Sequence, residues 1–246
     1  MTTTNDLIAA ACPRINKLGS AYYFTSETIA VGAGLGLDRG QFYFLGRGGV
    51  LGDVEPLTVF STFGYFNPAV VAYVWNASKA IVDPRLAARA FLNCAADHGR
   101  RLLAGVEGLG AFNACAEKIV AAAAPEGLTL FAAIAAEPLV DDAPGRTMQL
   151  ISLLRELRGS AHLVALVATG LSSKTAHYIS RPDDVALFGW APADAPTITD
   201  EDLSKKANAE ALTDALVAPA YGALDEAEAA SFVHTLVQIE HALTTA

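Results

Sequence analysis

Apolar residues recur every three to four positions along most of this chain, the spacing that places them on one face of an α helix. Residues 147–158 illustrate the pattern, because their leucines face one side whereas Arg155, Glu156 and Arg158 face the other. We therefore predict an amphipathic helix whose charged side lies in solvent. The same spacing predicts further helices over residues 83–105, 110–124 and 129–137.

Short polar residues mark where several of these helices begin. Each can accept a hydrogen bond from the first turn of a helix, and proline follows two of them at the first helical position. The predicted capping residues are Asn67, Asp83, Thr199 and Asp225. Strand signals are weak, since only residues 41–45 are compatible with either a short strand or a helical turn. The sequence therefore predicts a mainly α, multi-helix protein.

A polar stretch with proline and glycine at residues 141–145 is the best candidate for a boundary. It divides the chain into an N-terminal, helical, aromatic-rich domain (residues 1–141) and a C-terminal domain (residues 142–246). Whether the two parts pack as one unit is left open.

Residues 158–179 have the outline of a helix-turn-helix, in which Gly170 takes the tight turn and serine caps the second helix. A DNA-reading helix needs exposed basic or amide side chains, and this one offers little beyond Lys174 and His177. From residue 160 onward four basic and twelve acidic residues give a net charge of −8. This balance disfavours a nucleic-acid partner, and an ordinary helical hairpin in a core is the alternative.

Aromatic residues are concentrated in one part of the chain. Twelve of the twenty fall between residues 22 and 75, and five of those twelve are tyrosines. Such a group suits a core, and it equally suits an apolar ligand cavity with polar tips. Both interpretations stay open at this point.

The glycine-rich stretch at residues 46–53 is predicted to be a surface loop with glycines at positive φ. The alternative is an anion cradle of backbone N–H groups. If a ligand carries a carboxylate or phosphate, Arg47 is the first candidate to bind it.

The histidines carry the remaining candidate chemistry. His162 is the choice for a catalytic acid–base, and His177 lies with it in the helix-turn-helix region. His234 and His241 share a face that we expect to be solvated, so no metal site is assigned. The cofactor is unknown, and haem or a metal held by histidine stays open. The chain has no apolar run long enough to span a membrane and no basic start typical of a signal peptide, so we expect a cytoplasmic protein.

Four segments together resemble an actinobacterial family of helix-turn-helix or MarR-like hypothetical proteins. They are residues 42–52, 66–70, 154–162 and 212–224. The resemblance implies an all-α protein whose C-terminal half is a degenerate winged helix, and it makes a homodimer plausible. Family members carry a longer segment with a wing-like pattern before the last of these regions. Residues 189–197 are short and irregular here, which further disfavours DNA binding.

The function expected from these observations is binding of a small apolar or aromatic molecule in a helical cavity. The candidate ligand-binding residues are Tyr43, Arg47, Phe63, Tyr65, Asn67, His162 and His177. The alternative is an enzyme acting on a similar molecule through His162, a tyrosine or an aspartate. A ligand-responsive transcription regulator is the third hypothesis.

Overall fold

The computed structural model describes residues 3–245, which fold into twelve α helices and three short 3₁₀ segments. No β strand occurs in this range, so the predicted mainly α class is confirmed. None of the described helices is long and apolar enough to cross a membrane. The helices are α1 (Thr4–Leu18), α2 (Ser26–Gly34), α3 (Arg39–Gly48), α4 (Pro56–Phe63), α5 (Pro68–Lys79), α6 (Pro84–Leu103), α7 (Leu109–Ala122), α8 (Thr129–Ala135), α9 (Ala143–Ala168), α10 (Ser173–Ser180), α11 (Asp200–Tyr221) and α12 (Glu226–Thr244).

Helix starts agree with the predicted caps. The Asn67 side chain accepts a hydrogen bond from the first turn of α5, and the Asp83 side chain does the same for α6. Thr199 and Asp225 each form a full capping box, at α11 and α12. These local signals are reliable because a capping side chain accepts a hydrogen bond from a first-turn N–H group that has no partner within the helix.

Helix α9 lies at the centre of the molecule and packs against α1, α6, α7, α8 and α11. Its buried residues belong to two apolar cores: Leu150 and Leu154 join the one built with α1, α7, α11 and α12, and Met148 joins the aromatic one built from α3–α6. The prediction of a solvated charged side is therefore wrong for Glu156, which is 2% exposed. A helix with neighbours on all sides has no fully solvated face to offer.

The prediction that the glycine-rich stretch at residues 46–53 is a surface loop is also wrong. Gly46 lies inside α3 and Gly49 in a 3₁₀ segment, and of the glycines at residues 46–53 only Gly52 has a positive φ. A Cβ at Gly49 would lie 2.0 Å from the Pro84 carbonyl oxygen. These glycines therefore allow close approach of α3 to α6 instead of forming a surface loop.

The helix-turn-helix is present in a modified form. Gly170 takes the turn at φ 70°, and the Ser172 hydroxyl caps α10 by accepting a hydrogen bond from the Thr175 N–H at 3.0 Å. The first helix of the motif is the C-terminal end of the 26-residue α9, in which Gly159 is helical. Two 3₁₀ segments follow α10, and no β hairpin forms a wing in the described residues.

Helices from both sides of residue 141 pack against α9, and α1 also contacts α11 and α12. Helices α1 and α7 thus share one apolar core with the C-terminal helices α9, α11 and α12. The division of the chain into two domains at residue 141 stays a prediction.

Packing of α6 against α9 predicts a sharp response at Gly99. A Cβ there would lie 2.2 Å from the Pro144 carbonyl oxygen and 2.9 Å from Met148 Cβ. We expect Gly99→Ala to lower the free energy of unfolding by about 1–3 kcal/mol, the usual cost of overpacking, although alanine favours helices. Urea denaturation measures the effect. Gly110→Ala is the matched control, because nothing lies within 4 Å of its Cβ position; equal stability of the two variants would contradict the prediction.

Candidate functional site

A cavity of about 670 Å³ lies between the aromatic N-terminal helices and the helix-turn-helix. One wall comes from α3, α4 and the turn before α5, and the other from the C-terminal half of α9, from α10 and from α11. A volume of this size falls in the range of small-molecule sites. The cavity therefore lies where the two parts of the chain meet.

Six of the seven candidate ligand-binding residues line this cavity. They are Tyr43, Arg47, Phe63, Tyr65, His162 and His177. Asn67 lies off the wall: its Oδ1 accepts a hydrogen bond from the Ala69 N–H, and its Nδ2 donates to the Gly189 carbonyl. Asn67 caps α5, and its amide is already occupied.

The aromatic residues divide between core and cavity. Tyr22, Phe42 and Trp75 are fully buried in the N-terminal core. Tyr43 and Phe63 line the cavity and lie 6.0 Å apart between ring centroids in an edge-on arrangement. The two interpretations of the aromatic excess therefore apply to different members of the group.

The charged floor of the cavity centres on Glu156. Its carboxylate accepts hydrogen bonds from Arg47 Nη2 at 2.7 Å, from Arg47 Nε at 3.1 Å and from Arg155 Nη1 at 2.7 Å. The Tyr23 hydroxyl donates to the same carboxylate at 3.0 Å. Burial raises the pKa of Glu156, but Arg47 and Arg155 outweigh burial and lower it to about 2. Arg47 is thus already paired and is not the free anion ligand that the sequence suggested.

His162 has a defined tautomer. Its Nδ1 lies 2.7 Å from the Thr213 hydroxyl, and that hydroxyl donates its single proton to the Ala209 carbonyl at 2.6 Å. The hydroxyl must therefore accept from Nδ1–H, which leaves Nε2 as an acceptor. Burial lowers the pKa of His162, so the ring is neutral at pH 7. Glu210 Oε1 lies 3.8 Å from Nε2.

Tyr65 has a strained backbone. It is the only non-glycine residue with positive φ among residues 3–245, at 52°, and the Trp190 indole N–H donates to its carbonyl at 2.6 Å. Burial, followed by the Glu210 carboxylate, raises the pKa of Tyr65, which keeps the phenol protonated at neutral pH. Strain of this kind persists only where the surroundings impose it and is often found at functional sites.

Residues 182–194, here called the strap, fold back over α10. Lys174 Nζ lies 4.6 Å from the centre of the Trp190 ring, and the Tyr178 hydroxyl donates to the Ala191 carbonyl. The His177 ring packs 4.1 Å from Phe188, and burial, with Arg181 as a second cause, lowers the pKa of His177. The strap therefore contacts Lys174 and His177, the two side chains of α10 that the sequence offers for DNA contact.

Several functional candidates were missed from the sequence. Glu156 and Arg155 were assigned to solvent, and Tyr23, Glu210 and Phe188 were not singled out. Glu156 carries no local signal of burial, because it lies on the polar side of α9 with Gln149 and Ser152. The positions of Glu210 and Phe188 depend on tertiary packing and have no local signal.

The remaining histidines and the cysteines lie elsewhere. His234 and His241 are exposed on α12, as expected, and the three cysteines are buried and unpaired. Within residues 3–245 no group of three or more His, Cys, Asp or Glu is arranged to hold a metal ion.

Glu156 provides a test of the charged floor. Glu156→Gln leaves two partly buried arginines without their buried carboxylate, and we expect it to lower the free energy of unfolding at pH 7 by about 3–5 kcal/mol. Glu201→Gln, which breaks an exposed pair with Lys205, serves as the control and should change stability little. Chemical denaturation of both variants measures the difference.

The acid limb of the stability curve gives a second readout of the same group. The pKa of Glu156 is lower in the folded chain than its ordinary value of 4.5, so its contribution exists above pH 4.5 and is lost as pH falls toward 2. We expect wild-type stability to fall more steeply in this window than that of Glu156→Gln. Parallel curves for the two proteins would contradict the assignment.

Comparison with known protein families finds a match. A model described as a helix-turn-helix family covers residues 9–246, which is nearly the whole chain. No curated protein and no solved structure matches this chain. The match agrees with the α9–turn–α10 geometry around Gly170. The chain therefore belongs to this helix-turn-helix family.

Proposed function

We propose that this chain is a small-molecule-binding protein of the helix-turn-helix family, with a ligand that is aromatic or apolar over much of its surface. The observation that carries the proposal is the cavity of about 670 Å³, which lies directly between the aromatic helices and the helix-turn-helix. Tyr43, Phe63 and Tyr65 supply ring surfaces for the ligand, and His162 and His177 supply polar edges.

Gly159 supports a cavity that is kept open. It lies in the middle of α9 and lines the cavity, and nothing lies within 4 Å of a Cβ built at this position. Glycine weakens a helix by about 1 kcal/mol relative to alanine. Within residues 3–245 no packing contact requires glycine there, and its missing side chain leaves this part of the cavity wall open.

A regulatory role follows from the same arrangement. The strap holds α10 through Trp190 and Ala191 and also contributes Phe188 to the cavity wall. A ligand in the cavity would therefore contact the segment that covers α10. Because the strap engages Lys174 and His177, we propose ligand binding ahead of DNA reading.

MarR-like descent of the C-terminal half and a homodimer through the terminal helices belong to the same proposal. The turn at Gly170 supports the first. An exposed Val237 on α12 is compatible with the second, which sedimentation equilibrium measures directly.

Gly159 gives the direct test of the binding site. We expect Gly159→Phe to fill the cavity and to weaken binding of the naphthalene probes 1-naphthoate and 1-naphthamide by at least about tenfold, or 1.4 kcal/mol. Gly159→Ala adds only a methyl group and should retain binding while stabilising α9. Isothermal titration calorimetry measures the affinities.

Two results would contradict the proposed function. One is that neither probe binds the wild-type protein at millimolar concentration. The other is that Gly159→Phe folds, as shown by circular dichroism, and binds both probes as tightly as Gly159→Ala.

An enzyme that uses His162 is the second candidate, and the fixed tautomer favours it. Nε2 is available as an acceptor, and the protonated Tyr65 phenol lines the same cavity as a donor. Such a pair could abstract one proton and return another in an isomerisation.

The tautomer itself is measurable. We expect ¹⁵N NMR at pH 7 to show His162 protonated at Nδ1 and bare at Nε2, because the Thr213 hydroxyl accepts from Nδ1. Thr213→Val removes that acceptor and should release the preference, with Thr235→Val as the control on α12. A proton on Nε2 in the wild-type protein would exclude His162 as the base.

A further inference from the structure

The cavity floor carries an uncompensated positive charge. Arg47 and Arg155 share a single carboxylate, that of Glu156, which is 2% exposed. The three side chains together therefore hold one net positive charge. Burying a charge without a counter-ion is costly, so such a cluster favours an added anion.

Arg155 is the member of this cluster with hydrogen-bonding capacity to spare. Its Nη1 donates to Glu156 and to the Tyr23 hydroxyl, but its buried Nε has no hydrogen-bond partner among the described residues. Arg47, in contrast, is held by Glu156 in a two-point contact and also donates to the Tyr43 hydroxyl. Because Nε, Nη1 and Nη2 of Arg47 are all engaged, an anion in the cavity would pair with Arg155 more readily than with Arg47.

Arg39 adds a second positive charge to the same cavity. It lines the wall and forms no salt bridge within residues 3–245; its guanidinium lies 5.3 Å from the centre of the Phe24 ring. Arg158 and Lys206, which also line the cavity, are balanced because they pair with Glu210 and Asp214. Arg181 likewise pairs with Asp184.

From this distribution we infer that the ligand is an aromatic acid: a planar ring with a carboxylate or similar anionic group that pairs with Arg155 and Arg39. The inference rests on the proposed binding function and specifies its ligand class. The whole chain carries a net charge of −9, so the preference must come from the local arrangement of charges and not from the charge of the protein. The aromatic wall accommodates the ring, and the charge-assisted hydrogen bonds select the acid over a neutral relative.

A matched pair of probes tests the inference. 1-Naphthoate and 1-naphthamide share the ring system and differ in charge. We expect the wild-type protein to bind naphthoate at least about tenfold more tightly by isothermal titration calorimetry, the size of one hydrogen bond to a charged group. Equal affinities would overturn the inference, and tighter binding of the amide would do so more strongly.

Variants locate the anion. Arg155→Gln should weaken naphthoate binding by about tenfold and leave naphthamide nearly unchanged, and Arg39→Gln should act in the same direction with a smaller effect. Arg85→Gln removes the same charge far from the cavity, where Arg85 pairs with Glu137, and should leave both affinities unchanged. If Arg155→Gln does not fold, Arg39→Gln still decides the matter, because its side chain is exposed.

The outcomes separate the two proposals. If both probes bind equally and Gly159→Phe blocks both, the cavity binds small molecules and the acid preference is wrong. If neither probe binds, the proposed function and the inference fail together. If Arg85→Gln weakens naphthoate as much as Arg155→Gln does, the preference is a general charge effect and the site is wrong.

Discussion

The ion-paired carboxylate of Glu156 is the interaction on which the arrangement of this protein depends. It lies on the central helix and is contacted by Arg47 from α3, by Arg155 and by the Tyr23 hydroxyl from the turn after α1. A buried carboxylate costs several kcal/mol unless it is paired. Because its partners come from three separate segments, satisfying this one group fixes their relative positions and thereby the floor of the cavity.

The strap links the cavity to the helix-turn-helix. Phe188 lines the cavity, and the Trp190 indole N–H donates a hydrogen bond to the carbonyl of the strained Tyr65. The Ala191 carbonyl accepts a hydrogen bond from the Tyr178 hydroxyl on α10. Lys174, His177 and Tyr178 of α10 thus contact the segment that also lines one end of the cavity. The family match is compatible with this arrangement, since the helix pair α9–α10 lines one side of the cavity.

The sequence anticipated what depends on local physics. Caps at Asn67, Asp83 and Asp225, and the turn at Gly170, were located correctly because each satisfies or relaxes its own backbone. Gly46 and Gly49 were assigned to a loop, but they allow Phe91 and Pro84 of α6 to pack closely against α3 and the 3₁₀ segment after it. Because α6 is distant in sequence, no local pattern indicated this contact. Glu156 was misplaced for the same reason: helical spacing shows which residues share a face, but not how many neighbours a helix has. Six of the seven site candidates line one cavity. The concentration of aromatic residues indicated the region of the site, although it did not indicate which residues pair with the charged side chains there.

The bare backbone at Gly159 has a consequence for how this protein could change. The side chain at one position determines how much of the cavity is available, while the charged floor at Glu156 lies beside it on the same helix and is set by other residues. In the proposed ligand site, a single codon change at 159 would therefore alter the size of molecule admitted and leave the ionic contacts of Glu156 intact. In that proposed site, molecular size and molecular charge would thus be specified by separate residues, so selection could adjust one of them without losing the other.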